Sequence, residues 1–475
     1  MEKTKTHIAV VSSPWFSNLA SSFEFSKRFA NLHPNFQLSF FIPILESLPD
    51  AFKSILETET LPTNLNPILL PPISKDDMPP NAEPVLQKKL TLIKSLPHIH
   101  HILINSLTSN STHLSALVAD PFALEVLDFA KQLKTLTFIY FASSAMALSV
   151  FFHLPKLHDM ISCEFRDFPK TIRIPGCVQI RGIDLPEPVQ DRSSPTDEEF
   201  LEMTQRFHSV DGFLVNSFLE MEESTVKAFA NEGKGNFPLL YLVGPVAETK
   251  YEEKGSSDSK WLRWLEKQPP KSVLYICFGG GGTLSQHQTN ELALGLELSG
   301  NKFLWVMRAP SNSVNVGLEH ADDEDPLKFL PEGFLERTKE QGLVVPLWAP
   351  QIPILHHSSI GGFLSHCGWN SVIESVQYGV PIIAWPLFAE QRLNAALVSN
   401  GLKVALWPKV NENEIVEREE ISKVIKSLME DEEGKEIYRR MECLKEAAAN
   451  AVKDDGSSTK AMHEVAMLWK NFRGI

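Results

Sequence analysis

Short apolar runs alternate with helical patterns along most of the chain, and this alternation limits the possible folds more than any other feature. The first run, residues 7–12, reads HIAVVS and is followed by Phe23, Phe25 and Phe29 at helical spacing. Such continuous runs are typical of strands buried on both faces of a parallel sheet. Further strand candidates are residues 37–42, 116–119, 137–140, 212–215, 272–278, 302–307, 343–347, 362–365, 381–384 and 403–406. The alternation predicts a doubly wound α/β fold.

The length of 475 residues indicates more than one hydrophobic core. A polar, charged stretch at 246–260 separates two series of strand candidates. We therefore predict an N-terminal domain at 1–245, a linker at 246–260, a second domain at 261–455 and a final helix at 456–475. Open α/β sheets bind ligands beyond the carboxyl ends of their strands, so both domains are expected to present those ends to one shared cleft.

The composition narrows the range of partners. With a net charge of -14, the chain has no broad basic surface for nucleic acid or anionic membranes. The apolar run near the start of the chain is too short for a signal peptide or a membrane span. The five cysteines are scattered along the sequence, which fits a reducing compartment. We therefore expect a cytosolic protein. His98, His100, His101 and the pair at 356–357 lack partnered carboxylates, and we predict no metal site. A small-molecule partner and a monomer are expected.

The most distinctive stretch is residues 348–391, which read WAPQIPILHHSSIGGFLSHCGWNSVIESVQYGVPIIAWPLFAEQ. Indole, amide, imidazole, hydroxyl and carboxylate groups follow one another in this segment. It resembles the signature segment of plant family-1 UDP-glycosyltransferases, with no insertion or deletion. The resemblance implies the GT-B fold, in which two Rossmann-like domains face a shared cleft, and a UDP-sugar as donor substrate with no cofactor.

Four residues of the segment match the needs of a nucleoside. Trp348 offers a flat indole for stacking on uracil, and Ala349 offers a backbone edge for the polar atoms of the base. Gln351 and Glu374 carry groups that bond ribose hydroxyls, as carboxylates do in dinucleotide-binding folds. Taken alone, Trp348 fits a core aromatic and Glu374 a surface charge; their joint occurrence in one ordered segment favours a binding site.

The resemblance assigns the next residues to the diphosphate. His366, Asn370 and Ser371 are expected to bind phosphate oxygens near the start of a helix at 370–378, whose free amides attract anions. Gly368 permits a close approach of the backbone. An isolated histidine is usually a core residue, so the assignment of His366 depends on its neighbours.

The resemblance also assigns the hexose hydroxyls to Trp369, Glu390 and Gln391, and a closing glutamine is associated with glucose donors. A second donor element is the glycine-rich run at 278–283, which follows a strand and precedes a helix. Gly280 stands where the family usually has Ser or Thr, which removes one phosphate hydrogen bond of about 1 kcal/mol. We include Gly280 and Gly282 among the donor-binding residues.

The largest departure from the family lies after the first strand. The usual Pro-Gly-x-Gly-His loop is replaced by Pro14 to Asn18, so an asparagine stands where the catalytic histidine is expected. An amide is not basic near pH 7, and Asn18 is predicted only to hold the acceptor hydroxyl. The partner carboxylate is present as Asp120, which we predict to act as the base directly or through one water. Its alternative role is the N-cap of a helix at 122–132.

Two large rings, Trp15 and Phe16, replace a small pair in the same loop. We predict that they wall an apolar acceptor pocket suited to aromatic or polycyclic molecules. The remaining candidates for this pocket are Phe122, Phe141, Met146 and Phe151. Runs at 151–155, 174–177 and 191–192 resemble the hydroquinone (arbutin-type) glucosyltransferase branch of the family.

The sequence therefore predicts an inverting enzyme that moves glucose from UDP-glucose to a hydroxyl of a lipophilic small molecule, either phenolic or polycyclic. The alternative is a UDP-sugar-binding protein that has lost catalysis, which Asn18 and Gly280 favour and the intact sugar end of the segment opposes. A dinucleotide oxidoreductase built on the glycine-rich run leaves residues 348–391 unexplained.

Overall fold

Two parallel sheets organise the chain. The computed structural model describes residues 5–58, 60–79, 82, 84–108, 112–233, 237–247, 260–311 and 325–472. Two units are compact: the first comprises Met1–Leu157, Glu199–Glu248 and Asn450–Ile475, and the second comprises His158–Glu198 and Thr249–Ala449. Most of the predicted linker, residues 248–259, lies outside the described residues. Residues 158–198, which the sequence placed with the N-terminal domain, group with the second unit.

Within the described residues, the first sheet has seven strands in the order β3-β2-β1-β4-β5-β6-β7, and its strand pairs are parallel. Its strands are β1 Lys5–Val11, β2 Phe36–Ile42, β3 Leu65–Leu69, β4 Thr112–Ala119, β5 Leu136–Phe141, β6 Gly212–Val215 and β7 Leu239–Leu242. The strand order reverses between β1 and β4. In doubly wound sheets the loops that leave the carboxyl ends at this reversal diverge and leave room for a ligand.

In the same described ranges, the second sheet has six strands in the order β10-β9-β8-β11-β12-β13, also with parallel pairs. Its strands are β8 Val273–Cys277, β9 Lys302–Met307, β10 Gly342–Pro346, β11 Ile360–Ser365, β12 Ile382–Ala384 and β13 Ala405–Leu406. Here the order reverses between β8 and β11. The predicted doubly wound α/β class is confirmed for both units.

Helices cover both faces of each sheet. They are α1 Phe16–Leu32, α2 Asp50–Thr58, α3 Pro84–Thr108, α4 Ala130–Leu133, α5 Ala145–Met160, α6 Pro195–Arg206, α7 Leu219–Gly233, α8 Lys260–Leu265, α9 Gln286–Ser299, α10 Phe334–Arg337, α11 Gln351–His356, α12 Trp369–Tyr378, α13 Gln391–Ala396, α14 Arg418–Met429, α15 Glu432–Ala451 and α16 Ser457–Asn471. Among the described residues, no helix has an apolar stretch that would cross a bilayer.

The core of the first unit joins its sheet to α1 and α16. Phe29 of α1 and Phe138 of β5 contact the indole of Trp469 on α16, with ring centroids 5.1 Å and 5.3 Å from it. Trp469 is fully buried. The last helix is therefore part of the hydrophobic core of the first unit, although it follows the second sheet in the sequence.

Replacing Trp469 with alanine is expected to lower the free energy of unfolding by about 3–5 kcal/mol, because a large buried aromatic leaves a cavity. Urea unfolding followed by far-UV circular dichroism measures this change. Met467 on the same helix is 54% exposed, and Met467→Ala is the matched control, with a change within about 0.5 kcal/mol. Equal midpoints for Trp469→Ala and the wild type would contradict the role of α16 in this core.

Candidate functional site

The reversal of strand order in the second sheet brings two loops together. His366 directly follows β11, and Gly279 lies two residues after β8. A Cβ atom on Gly279 would lie 2.7 Å from Cε1 and from Nε2 of His366, and one on Gly368 would lie 2.5 Å from Nε2. Gly279 also has φ +70°, which glycine adopts without strain. The imidazole therefore fits between two positions that only glycine can occupy.

The His366 ring is neutral at pH 7, because burial lowers its pKa to about 4. Within the described residues its Nδ1 atom has no hydrogen-bond partner. The next residues begin α12, where Gly368 is the N-cap and provides no side-chain cap for the first-turn amides. A neutral ring that donates one N–H beside the start of a helix has the chemistry that phosphate binding requires.

Cys367, between His366 and Gly368, is a packing residue. Its side chain is fully buried, and burial raises the pKa of the thiol to about 12. Its backbone has φ +62°, in the left-handed region. The thiol is therefore protonated at pH 7 and is not a nucleophile.

Three of the predicted donor residues form one hydrogen-bonded group at the start of α11 and α12. The Gln351 Nε2 atom donates to Ser371 Oγ at 2.9 Å and to Glu374 Oε2 at 2.6 Å. Trp348 has its side chain 56% exposed, while Ala349 is buried. Gln351 thus fixes the Glu374 carboxylate. The exposed Trp348 indole lies three residues before Gln351 in the chain.

The sugar-assigned residues lie around the turn at 387–391. The Gln391 Oε1 atom accepts hydrogen bonds from the backbone N–H groups of Leu387 at 2.9 Å and Phe388 at 3.0 Å. Gln391 is buried, and within the described residues no partner contacts its Nε2 atom. Glu390 is the N-cap residue of α13 and accepts from Asn394 Nδ2 at 3.4 Å. Gln391 therefore shapes the turn with its oxygen and keeps its amide N–H groups as donors.

Two further donor residues lie at the turn after β11. Trp369 is buried at the start of α12, and Asn370 follows it in the first turn of that helix. Asn394, which sequence reasoning missed, is fully buried and donates from Nδ2 to the Cys367 carbonyl oxygen at 3.0 Å. It connects α13 to the turn that carries His366.

The glycine-rich run follows β8 and precedes a helix, as predicted. The helix is α9, which begins at Gln286 and has its first turn capped by the Ser285 hydroxyl. The Gly280 carbonyl oxygen accepts from Arg308 Nη1 at 2.6 Å. The Thr283 hydroxyl donates to the Ala309 carbonyl oxygen at 2.6 Å, so it does not replace the hydroxyl that the family has at position 280.

Gly282 has a packing reason of its own. A Cβ atom there would lie 2.7 Å from Leu387 Cδ1 and 2.8 Å from Phe388 Cε1. The glycine-rich run therefore contacts the same turn that Gln391 holds. Phosphate-assigned and sugar-assigned residues of the second unit thus form one continuous set.

In the first unit, Asp120 directly follows β4 at the reversal of strand order. Its Oδ2 atom accepts hydrogen bonds from Ser12 Oγ at 3.1 Å, Ser13 N at 2.5 Å and Ser13 Oγ at 2.7 Å. Its Oδ1 atom accepts from the Phe122 N–H at 2.8 Å. The side chain is 1% exposed, and burial raises the pKa of this carboxyl against the opposing effect of the four hydrogen bonds. In this structure neither oxygen is open for direct contact with an acceptor.

The helix predicted at 122–132 is wrong. A 3₁₀ helix at Leu124–Phe129 and the short α4 take its place. The Asp120 side chain accepts a hydrogen bond from the Phe122 N–H, in a turn rather than as the cap of an α-helix. The seryl donors Ser12 and Ser13 were missed at the level of sequence. The reversal of strand order, which places the end of β1 beside the end of β4, was the available signal.

The remaining acceptor candidates divide by exposure. Asn18 lies in the first turn of α1, partly exposed, three residues after Trp15. Phe16 and Phe122 are exposed, and the Trp15 and Phe122 rings lie 6.3 Å apart. Lys88 Nζ lies 3.9 Å from the centroid of the Trp15 ring. The three buried candidates belong to the core instead: Phe141 at 3%, Met146 at 0% and Phe151 at 6% exposure.

Comparison with known proteins identifies the family of this chain. The sequence profile of the family described as "UDP-glucoronosyl and UDP-glucosyl transferase" covers residues 261–447, which contain the donor-assigned set. Hydroquinone glucosyltransferase of Rauvolfia serpentina is 46% identical over 99% of this chain and 99% of that protein. This chain belongs to the UDP-glucoronosyl and UDP-glucosyl transferase family. It is a UDP-glycosyltransferase, and the resemblance drawn from residues 348–391 is confirmed.

Two solved structures extend the similarity to the whole fold. A UDP-glucosyltransferase from Polygonum tinctorium, in complex with 3,4-dichloroaniline, has a TM-score of 0.88 and 40% identity over 99% of this chain and 100% of that chain. Phytolacca americana UGT2, in complex with UDP-2-fluoro-glucose and pterostilbene, has a TM-score of 0.85 and 38% identity, with coverage of 99% and 100%. The predicted GT-B class is thereby confirmed, with a UDP-sugar as donor substrate of the family.

Gly368→Ala is expected to weaken UDP binding by about tenfold or more, because the new methyl group would overlap His366 Nε2 and displace the ring from its phosphate-binding position. Calorimetric titration with UDP measures this effect. Gly300 has φ +73°, and no atom lies within 4 Å of the position that a Cβ would take there. It provides the control Gly300→Asn, which keeps UDP affinity. Unchanged affinity in Gly368→Ala would remove His366 from the phosphate site.

Proposed function

We propose that this enzyme transfers glucose from UDP-glucose to a hydroxyl group of a lipophilic, aromatic small molecule. The observation that carries the proposal is the continuous set in the second unit, from the Gln351–Ser371–Glu374 group through His366 to the turn shaped by Gln391. Each part of this set supplies the chemistry that one part of UDP-glucose requires.

In this proposal the exposed Trp348 indole stacks on uracil, and the Ala349 backbone meets the polar edge of the base. Glu374, held by Gln351, accepts from the ribose hydroxyls. His366, Ser371 and the first-turn amides of α12 bind the diphosphate, with Asn370 beside them. Close approach of the phosphates is possible because Gly280 and Gly368 carry no side chains.

Glucose then lies against Trp369, Glu390 and Gln391. The free amide N–H groups of Gln391 donate to one hydroxyl, and the Glu390 carboxylate accepts from others. The reaction is a single displacement with inversion. The acceptor oxygen forms a bond to C1 of glucose while the bond from C1 to the phosphate oxygen breaks, and UDP leaves with the electron pair.

The acceptor is proposed to be phenolic. Trp15, Phe16 and Phe122 present aromatic surface beside Asn18 and Asp120, which suits a flat aromatic ring. The Rauvolfia serpentina relative is named for hydroquinone, and the Phytolacca americana structure holds pterostilbene. A polycyclic acceptor such as a steroid or terpenoid is the alternative within the same class.

Proton removal is the step in which this chain differs from its family, because Asn18 stands in place of the usual histidine. Asn18 orients the acceptor hydroxyl through a hydrogen bond, and Asp120 takes the proton through one intervening water. The water would approach Oδ1, which accepts from the Phe122 N–H, rather than Oδ2, which accepts three hydrogen bonds from Ser12 and Ser13. A phenol near pKa 10 and a carboxyl near 3.9 differ by about 6 units, so transfer accompanies the departure of UDP. The raised pKa of Asp120 narrows this gap.

A catalytically inactive UDP-sugar-binding protein is the second candidate, and the enclosed Asp120 carboxylate favours it. Incubation with UDP-glucose and a panel of phenols, followed by mass measurement of the products, separates the two. A product heavier than the acceptor by one glucosyl group supports the enzyme. UDP-glucose binding without product from any acceptor supports the binding protein.

The donor assignment predicts that two substitutions differ by ligand. Gln391→Ala removes the oxygen that accepts from two backbone N–H groups. It also removes the amide N–H groups that are proposed to donate hydrogen bonds to glucose. UDP-glucose affinity is therefore expected to fall by about tenfold and UDP affinity by much less. Trp348→Ala is expected to weaken both ligands alike, since both contain uracil. Calorimetry with UDP and UDP-glucose measures this difference. Equal losses in Gln391→Ala would remove Gln391 from the sugar site.

The base assignment predicts a gain of function. Asn18→His introduces a group that titrates near pH 7, and kcat/KM is expected to rise by about 10² for weakly acidic alcohols. Acidic phenols, which ionise with less help, are expected to gain less. Asn18→Gln is the control, since it keeps an amide and adds no base. A uniform change for both acceptor classes would show that proton removal does not limit the reaction.

A further inference from the structure

A buried carboxylate outside the set described above is bonded to the residue next to Gln391. Asp184 lies in a 3₁₀ helix at Gly182–Asp184, and its side chain is 5% exposed. Its Oδ1 atom accepts from Arg392 Nε at 3.3 Å and from Arg181 Nη2 at 2.9 Å. Its Oδ2 atom accepts from Arg181 Nε at 3.0 Å and from the Arg181 N–H at 3.0 Å. One buried anion thus joins two guanidinium groups.

Both guanidinium groups also lie over one indole. The Arg392 Cζ atom is 5.5 Å from the centroid of the Trp407 ring, and the Arg181 Cζ atom is 5.9 Å from it. Trp407 follows β13, two strands from the reversal of strand order. Arg392 is held on two sides, by a carboxylate and by an aromatic face, and each contact is attractive for a cation.

The turn that Arg392 adjoins needs such support. Ala389 has φ +52°, a left-handed conformation that is strained for a residue with a side chain. Gln391 holds this turn from within, through the N–H groups of Leu387 and Phe388. From outside, the Glu187 N–H donates to the Ala389 carbonyl oxygen at 3.2 Å. Asp184 and Glu187, which lie in one short segment, therefore contact this turn at Ala389 and just after it, at Arg392.

We infer that Asp184 is a positioning residue for the sugar part of the donor. It acts through Arg392 to fix the start of α13, and so sets where the Glu390 and Gln391 side chains meet glucose hydroxyls. The inference rests on the proposed function, since it takes these two side chains as the sugar-binding groups. It assigns donor specificity to residues 181–187, which lie about 200 residues before the segment that contacts the sugar.

UDP affinity provides the internal comparison. The nucleotide-assigned residues Trp348, Gln351 and Glu374 lie on or beside α11 and α12, and the hydrogen bonds and ion pairs of Asp184 go to Arg181 and Arg392 instead. A general loss of structure would weaken UDP and UDP-glucose together. A displaced sugar turn would weaken UDP-glucose alone.

The test is calorimetric titration of the full-length enzyme with UDP-glucose and with UDP. Asp184→Asn and Arg392→Met are each expected to raise the Kd for UDP-glucose by about three- to tenfold, with the Kd for UDP within about twofold of the wild type. The double variant is expected to bind UDP-glucose no more weakly than the single variant with the larger effect, because both substitutions remove the same interaction between Asp184 and Arg392. Thermal unfolding by circular dichroism checks that each variant is folded.

The matched control is Asp191→Asn, which removes the same charge from the same segment. The Asp191 Oδ1 atom accepts hydrogen bonds from the backbone N–H and the hydroxyl of Ser193, away from the sugar turn, so both Kd values are expected to stay at wild-type level. Three outcomes would overturn the inference and leave the proposed function standing. They are equal weakening of both ligands by Asp184→Asn, full additivity in the double variant, and an effect of Asp191→Asn on UDP-glucose as large as that of Asp184→Asn. A wild-type enzyme that binds UDP-glucose no more tightly than a UDP-sugar with a different hexose would overturn the proposed glucose assignment as well.

Discussion

The reversal of strand order in each parallel sheet is the constraint on which the rest of the structure depends. Between β8 and β11, His366 after β11 packs against Gly279 after β8 and against Gly368. Between β1 and β4 the same reversal encloses Asp120 among seryl donors. Chemistry-bearing residues from distant parts of the chain meet at these two points because parallel strands deliver their carboxyl ends to one edge.

Much of the fold was predictable from the sequence, because buried parallel strands read as continuous apolar runs. The strands that escaped prediction, β3 and β7, are the edge strands of the first sheet. Their exposed positions weaken the apolar pattern, and Pro67 in β3 is tolerated only at an edge. The prediction of an α-helix after Asp120 was wrong for a different reason. This stretch is helical, but it forms a 3₁₀ helix that ends in one short α-helix.

The candidate site divides in the same way. The donor-assigned residues could be proposed from the sequence because most of them lie in one segment, whose order matches the family. The supporting residues were not, since Asp184 and Arg392 are separated by 208 positions and no local pattern connects them. On the acceptor side, residue type alone could not separate the exposed rings of Phe16 and Phe122 from the core rings of Phe141 and Phe151. Burial depends on packing partners that the sequence does not reveal.

The imidazole of His366, enclosed by two glycine backbones, has few rotamers available before any ligand arrives. Under the proposed assignment of His366 to the diphosphate, donor binding therefore requires little loss of side-chain entropy. In that assignment the nucleotide meets a preorganised surface formed by residues of the second unit. The aromatic loop after β1 belongs to the first unit, so its departure from the family sequence leaves the residues of this surface unchanged.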